Sequence, residues 1–215
     1  MMKFLGIVGS TADISFNRIL LKYMQRRFDD KFELQLIEVK DFPLFNQDIP
    51  LEEVPLVSAV ARKIEAADGI IIATPEHNHT ISAALKSFLE WMSSDVHPFD
   101  GKPVMIVGAS YFAYGSSRAQ LHLRQVLDAP GVNAVVLPSN EFLLGDVKKA
   151  FDDFNNLKDP GTVKFLETCL DNFVRFVKII NQVADKNYAE KDVSVWDEEL
   201  PNIEVDVISG ASESY

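Results

Sequence analysis

Three short stretches hold the residue types that could grip a reactive ligand: Gly9-Ser-Thr-Ala-Asp-Ile-Ser-Phe-Asn17, Thr74-Pro-Glu-His-Asn-His-Thr80 and Gly108-Ala-Ser-Tyr-Phe-Ala-Tyr-Gly-Ser116. The first offers Ser10, Thr11, Ser15 and Asn17 as hydroxyl and amide donors. The apolar run Phe4 to Val8 precedes it, and Ser15 opens a helical pattern. A strand that turns directly into a helix points bare backbone N–H groups at one spot. That spot lies at the positive end of the helix dipole, where a phosphate is held well. The stretch therefore suits a phosphate-bearing cofactor. It equally suits a plain turn with Ser15 as helix cap, and spacing leaves both open. It is neither a Walker A loop nor G-x-G-x-x-G.

In the second stretch Glu76, His77 and His79 are metal-ligand types, but their spacing departs from the common zinc patterns, and no cysteine or third histidine lies near. A metal is set aside. His97 and His122 read as isolated. There is no G-x-S-x-G elbow, and Cys169 lies far from the three stretches, so no nucleophile–base set is assembled and no catalytic side chain is named. In the third stretch small residues allow close backbone approach to a ligand. Its aromatics Tyr111, Phe112 and Tyr114 suit a ligand or a partner surface.

Alternating elements must position these loops. Phe4–Val8, Phe32–Val39, Gly69–Ala73, Pro103–Ala109 and Asn133–Leu137 read as strands. Helices are expected over Phe16–Phe28, around Val57 to Ile64, over Ile81–Trp91 and over Ser116–Leu127. A last helix follows Pro160-Gly161, with Leu166, Leu170, Phe173, Val177 and Ile180 on one face. Asp41 to Asp48 reads as a loop, and Ser139 to Asp159 as a polar, acidic segment. Strand and helix alternate five times. That predicts an α/β, three-layer, flavodoxin-like fold: a five-stranded parallel sheet, order 2-1-3-4-5, with helices on both faces. All three stretches then fall beyond the carboxyl ends of the strands.

Composition narrows the partners. The chain has 215 residues, 47% of them hydrophobic, and a net charge of −11. One domain over residues 1–184 plus an acidic extension over 185–215 is the simplest division. Such an acidic surface disfavours nucleic acid and anionic membranes. No stretch approaches the ~18 apolar residues of a membrane span. Cys169 alone cannot form an internal disulfide and reads as buried filler. The expected setting is the cytoplasm.

The three loops together resemble those of the NADPH-dependent FMN reductase family, which includes flavodoxin-like quinone, azo-dye and chromate reductases. Gly9-Ser10 with Ser15-Phe16-Asn17 resembles the family's phosphate loop. Thr74 to Thr80, running on to Leu85-Lys86 and Trp91, resembles its isoalloxazine loop and following helix. Gly108-Ala-Ser110, Gly115 and Arg118-Ala-Gln120 resemble its third loop. Asp41–Asp48 and Ala150–Asp159 are similar to its proline loop and its segment after strand five. The resemblance spans about residues 2–183. It implies noncovalent FMN, with Ser10, Ser15, Phe16 and Asn17 around the phosphate. Pro75, Glu76, His77 and Asn78 would lie along the ring, and Ser110, Tyr111 and Gly115 near its pyrimidine end. It implies NADPH or NADH as hydride donor, a small-molecule electron acceptor, ping-pong kinetics and a homodimer or tetramer. The chain departs from the family at four positions: Ala12 stands for Arg, His77 for Tyr, and Phe112 and Ser116 for Gly.

Two rivals follow from the same residues: a flavodoxin-like electron carrier without nucleotide turnover, and a scaffold that has lost the flavin. The 142–154 aromatics and the Leu85–Trp91 helix suit either a subunit interface or internal packing. In the extension, ordered packing is expected of Trp196. The alternation Ile203 to Ile208 suits an edge strand or a docking segment.

Overall fold

A computed structural model describes residues 1–183 and 192–201. The strands are β1 (Met2–Val8), β2 (Phe32–Glu38), β3 (Gly69–Ala73), β4 (Pro103–Ala109), β5 (Val135–Val136) and β6 (Phe142–Leu144). The helices are α1 (Phe16–Arg27), α2 (Pro55–Ala66), α3 (Ala83–Trp91), α4 (Ser117–Leu127), α5 (Val147–Ala150) and α6 (Pro160–Val183). The sheet is parallel in the order β2-β1-β3-β4-β5, as the alternation predicts, and β6 also pairs with β4.

Each central strand divides its side chains between two cores. Ile70 and Ile72 of β3 join Leu5, Ile7, Val104 and Ile106 against α2, α3 and α4. Ile71 and Ala73 join Phe4, Val8, Met105 and Val107 against α1 and α6. All five residues of β3 are buried. A strand covered on both faces gains from apolar residues at every position, which is why Gly-Ile-Ile-Ile-Ala shows no alternation. Cys169 sits in the second core, and burial pushes its thiol pKa up to about 11.

One expectation is corrected. The fifth strand is split. Val135–Val136 pairs with Pro103–Val104, and Phe142–Leu144 resumes beside Val107–Ala109. Between them Pro138 lacks an amide donor and Ser139 is left-handed at φ 58°, so the chain leaves the ladder and returns. The Ser139–Asp159 segment thus holds a short strand and the helix α5. Leu85, Phe88, Leu89 and Trp91 of α3 are buried within this chain, which favours internal packing, one of the two readings of this stripe. The Asp41–Asp48 loop covers this helix. Phe42 meets Phe88 edge-on at 4.9 Å and Phe45 meets Trp91 at 5.0 Å. The Trp91 indole donates to the Pro43 carbonyl at 2.9 Å. Phe142 and Phe151 are buried too, and Phe154 is exposed.

Trp196 is fully buried, as expected of it. Its indole N–H donates to Glu33 at 2.6 Å. Its carbonyl accepts from Lys63 at 2.6 Å and from Gln35 at 3.0 Å. Burial lowers the Lys63 pKa. The segment Val193–Asp197 therefore packs beside α2 on the face of the sheet that carries Glu33 and Gln35 of β2. The Ile203–Ile208 alternation lies outside the described residues. We predict that Trp196→Ala removes about 3–5 kcal/mol of stability, read as a shifted urea midpoint. A shift near zero would show that this segment is not docked in solution.

Candidate functional site

The first loop leaves β1 at Gly9. The Gly9 N–H donates to the Ala73 carbonyl at 2.9 Å. A Cβ there would come within 2.9 Å of that oxygen and 3.0 Å of Leu85, so a side chain has no room. Ser15 caps α1, its hydroxyl accepting from the Arg18 N–H at 3.3 Å. The N–H groups of Phe16 and Asn17 have no partner among the described residues, as the first turn of a helix dictates. Ser10 is buried and its oxygen accepts from the Ala12 N–H at 3.3 Å. The hydroxyl protons of Ser10 and Ser15 remain available to donate.

The Asn17 side chain is engaged within the protein. It donates to the Ala109 carbonyl at 3.1 Å and accepts from the Ala109 N–H at 2.9 Å, both buried. The amide imitates a peptide group and ties α1 to the end of β4, across the end of β3. What Asn17 leaves for a ligand is its backbone N–H.

The second loop is a tight hairpin. The N–H groups of His77 and Thr80 exchange bonds with each other's carbonyls at 2.9 and 3.0 Å. Asn78 and His79 stand at φ 49° and 67°, the left-handed pair such a two-residue turn requires. Glu76 is engaged within the protein. Its carboxylate accepts from the Arg118 N–H at 3.0 Å and the Ala119 N–H at 3.3 Å, capping α4, whose own cap residue Ser116 makes no side-chain capping bond. Thr80 hydrogen-bonds His122 of α4, so that histidine is not isolated. His97 bonds none of the three loops; its Nδ1 lies 3.0 Å from the Gly131 carbonyl.

The third loop is held by β6. The Ser110 N–H donates to the Leu144 carbonyl at 2.9 Å. Gly115 has φ 62°, and a Cβ would meet Leu143 at 2.9 Å, so this glycine is required by packing. Gly108 has no side-chain space at all, because Ser116 lies against it. Tyr111 meets Phe16 edge-on at 5.5 Å, and the Lys148 ammonium lies 5.1 Å from its ring. Phe112 and Tyr114 are 76% and 79% exposed.

Loops one and three therefore meet through Asn17 and through Phe16–Tyr111. Loops one and two meet at Gly9 and Pro75, and again through Ser82. The Ser82 hydroxyl donates to the Gly9 carbonyl at 2.7 Å and caps α3 by accepting from Leu85 at 3.0 Å. Sequence reading did not single out Ser82, although a serine ahead of Ala-Ala-Leu is a legible helix cap. It also missed Arg18, which binds Glu38 at 2.5 and 2.7 Å, an ion pair that raises the Arg18 pKa. Among the described residues no three metal-ligating side chains gather, and no helix is long and apolar enough to cross a membrane.

Sheet order and a donor-rich loop after β1 define a flavodoxin-like α/β protein. Within that class the chain belongs to the NADPH-dependent FMN reductase family, whose sequence pattern matches residues 2–149. It is 43% identical over 196 residues to an NADH:(hydroxy)cinnamate reductase subunit of Vibrio ruber, covering 89% of this chain and 95% of the relative. It is 40% identical to subunit 2 of an NADH-dependent flavin reductase of Lactobacillus johnsonii, covering 82% and 98%. A flavoenzyme NAD(P)H:(acceptor) oxidoreductase of Paracoccus denitrificans superposes with a TM-score of 0.75 at 26% identity, covering 83% of this chain and 98% of that one. The chain is thus an NAD(P)H-dependent flavin oxidoreductase, which sets the electron-carrier reading aside.

Replacing Asn17 with alanine would strand the Ala109 N–H and carbonyl in a buried place. We predict a loss of about 2–4 kcal/mol, measured by chemical denaturation. A variant as stable as the parent would show that the α1–β4 tie contributes nothing.

Proposed function

We propose that FMN is held with its phosphate against the first loop and that the chain passes electrons from NADH or NADPH to a small oxidised acceptor of the quinone type. The carrying observation is the set of unpartnered donors at the start of α1: the N–H groups of Phe16 and Asn17 and the hydroxyls of Ser10 and Ser15. These donors suit a phosphate dianion, and no acidic residue stands in the first turn of α1. When bound, FMN supplies the hydride-accepting and hydride-donating centre, so no acid–base side chain is obligatory. The chain's own residues bind and orient. Backbone groups of Pro75, His77 and Asn78 would line the ring, and Ser110 and Tyr111 would flank its pyrimidine end. Glu76 and Gly115 act one step back, holding these loops in place. Phe112, exposed in the third loop, would narrow the acceptor's approach.

A second reading concerns the acceptor. Two relatives are named as subunits, and Phe112 and Tyr114 leave apolar area exposed beside the proposed flavin. Both support delivery of electrons to a companion polypeptide. A homodimer or tetramer would cover the same area with a second copy. The single, buried Cys169 supports a reducing cytoplasmic setting.

Purified protein should be yellow and should bleach anaerobically with NADH or NADPH. Steady oxidation of the nucleotide by a benzoquinone supports the small-acceptor reading. Rapid bleaching with negligible quinone turnover supports the companion-protein reading. Flavin-loaded protein that neither nucleotide reduces would refute the proposal.

A further inference from the structure

The first loop, Gly9 to Asn17, contains no lysine or arginine, so it has no cation of its own for a phosphate. One arginine nevertheless reaches this loop. Arg18, in the first turn of α1, sends Nη1 to the carbonyls of Ala12 and Asp13 at 2.8 and 3.0 Å. Its Nε and Nη2 grip both oxygens of Glu38 at the end of β2, at 2.5 and 2.7 Å. Four bonds leave the guanidinium engaged, and its side chain is only 11% exposed. Its charge is balanced by Glu38, so it is a poor direct partner for a phosphate. Its geometry does something else. The C=O and N–H of one peptide unit point to opposite sides of the chain. Drawing the Ala12 and Asp13 carbonyls toward Arg18 turns the Asp13 and Ile14 N–H groups the other way. Neither N–H has a partner among the described residues.

We propose that Arg18, anchored by Glu38, is a positioning residue for flavin phosphate: it orients the peptide donors of the 12–14 segment in place of a charged ligand. This rests on the FMN reading above. Only the planar fork of arginine can hold one carboxylate and two carbonyls together, so lysine should not substitute.

The test compares FMN with riboflavin, which lacks the phosphate, by fluorescence titration of the wild type and of Arg18→Ala, Arg18→Lys and Glu38→Gln. The preference of the wild type for FMN should fall about tenfold or more in Arg18→Ala and Arg18→Lys. Glu38→Gln, which loosens the anchor, should lower it in the same direction. Riboflavin affinity should stay as in the wild type, which also shows that the variants are folded. The proposal is overturned if Arg18→Lys keeps the preference for FMN, or if Glu38→Gln strengthens it, because either result makes Arg18 a simple phosphate cation. An unchanged preference in Arg18→Ala overturns it as well. A wild type that binds neither flavin would instead remove the FMN reading, and this inference with it.

Discussion

The Asn17–Ala109 pair is the contact on which the site depends. β1 and β4 are not neighbours in the sheet; β3 lies between them. A side chain from the first turn of α1 passes over the end of β3 and completes the backbone hydrogen bonding at the end of β4. Both bonds are buried, so leaving either group unpaired would cost about 1–3 kcal/mol. Three further ties continue from it. Ser82 fastens α3 to Gly9, Glu76 fastens the second loop to α4, and Arg18 fastens the first loop to β2. The loops beyond the strand ends are therefore held by side chains that take no part in the proposed chemistry. A cradle fixed in this way does not have to be ordered by the ligand, and binding keeps the free energy that ordering would consume.

The same ties explain how an acidic protein can hold an acidic cofactor. With a net charge of −11, the overall field opposes a phosphate. The charge of Arg18 is balanced locally by Glu38. What remains is a group of short-range donors: helix-terminal N–H groups, turned peptides and two serine hydroxyls. Such donors act over a hydrogen-bond length and are little affected by distant charges.

Much of this was legible in the sequence. The sheet order follows from alternating apolar runs and helical spacings, and the first and second loops stand out through Gly9, Ser15 and the Pro-Glu-His-Asn run. Three things were not legible. The split of the fifth strand depends on Phe-Leu-Leu144, three residues too short to show a period. The roles of Asn17, Glu76 and Arg18 join residues 20 to 92 positions apart, and no local pattern reveals such pairs. For Asn17 and Glu76 the residue type suggested a ligand contact, while the structure gives each side chain a backbone partner within the protein. The burial of the α3 stripe depended on the Asp41–Asp48 loop folding over it, which is a tertiary matter.

The central claim is that the cradle is already formed and receives the flavin phosphate at the start of α1. A crystal structure of the FMN-loaded protein tests it most directly. The account predicts the phosphate against the N–H groups of Phe16 and Asn17, with the Asn17–Ala109, Ser82–Gly9 and Glu76–Arg118 contacts unchanged. A phosphate placed elsewhere, or those contacts broken to admit it, would contradict the account.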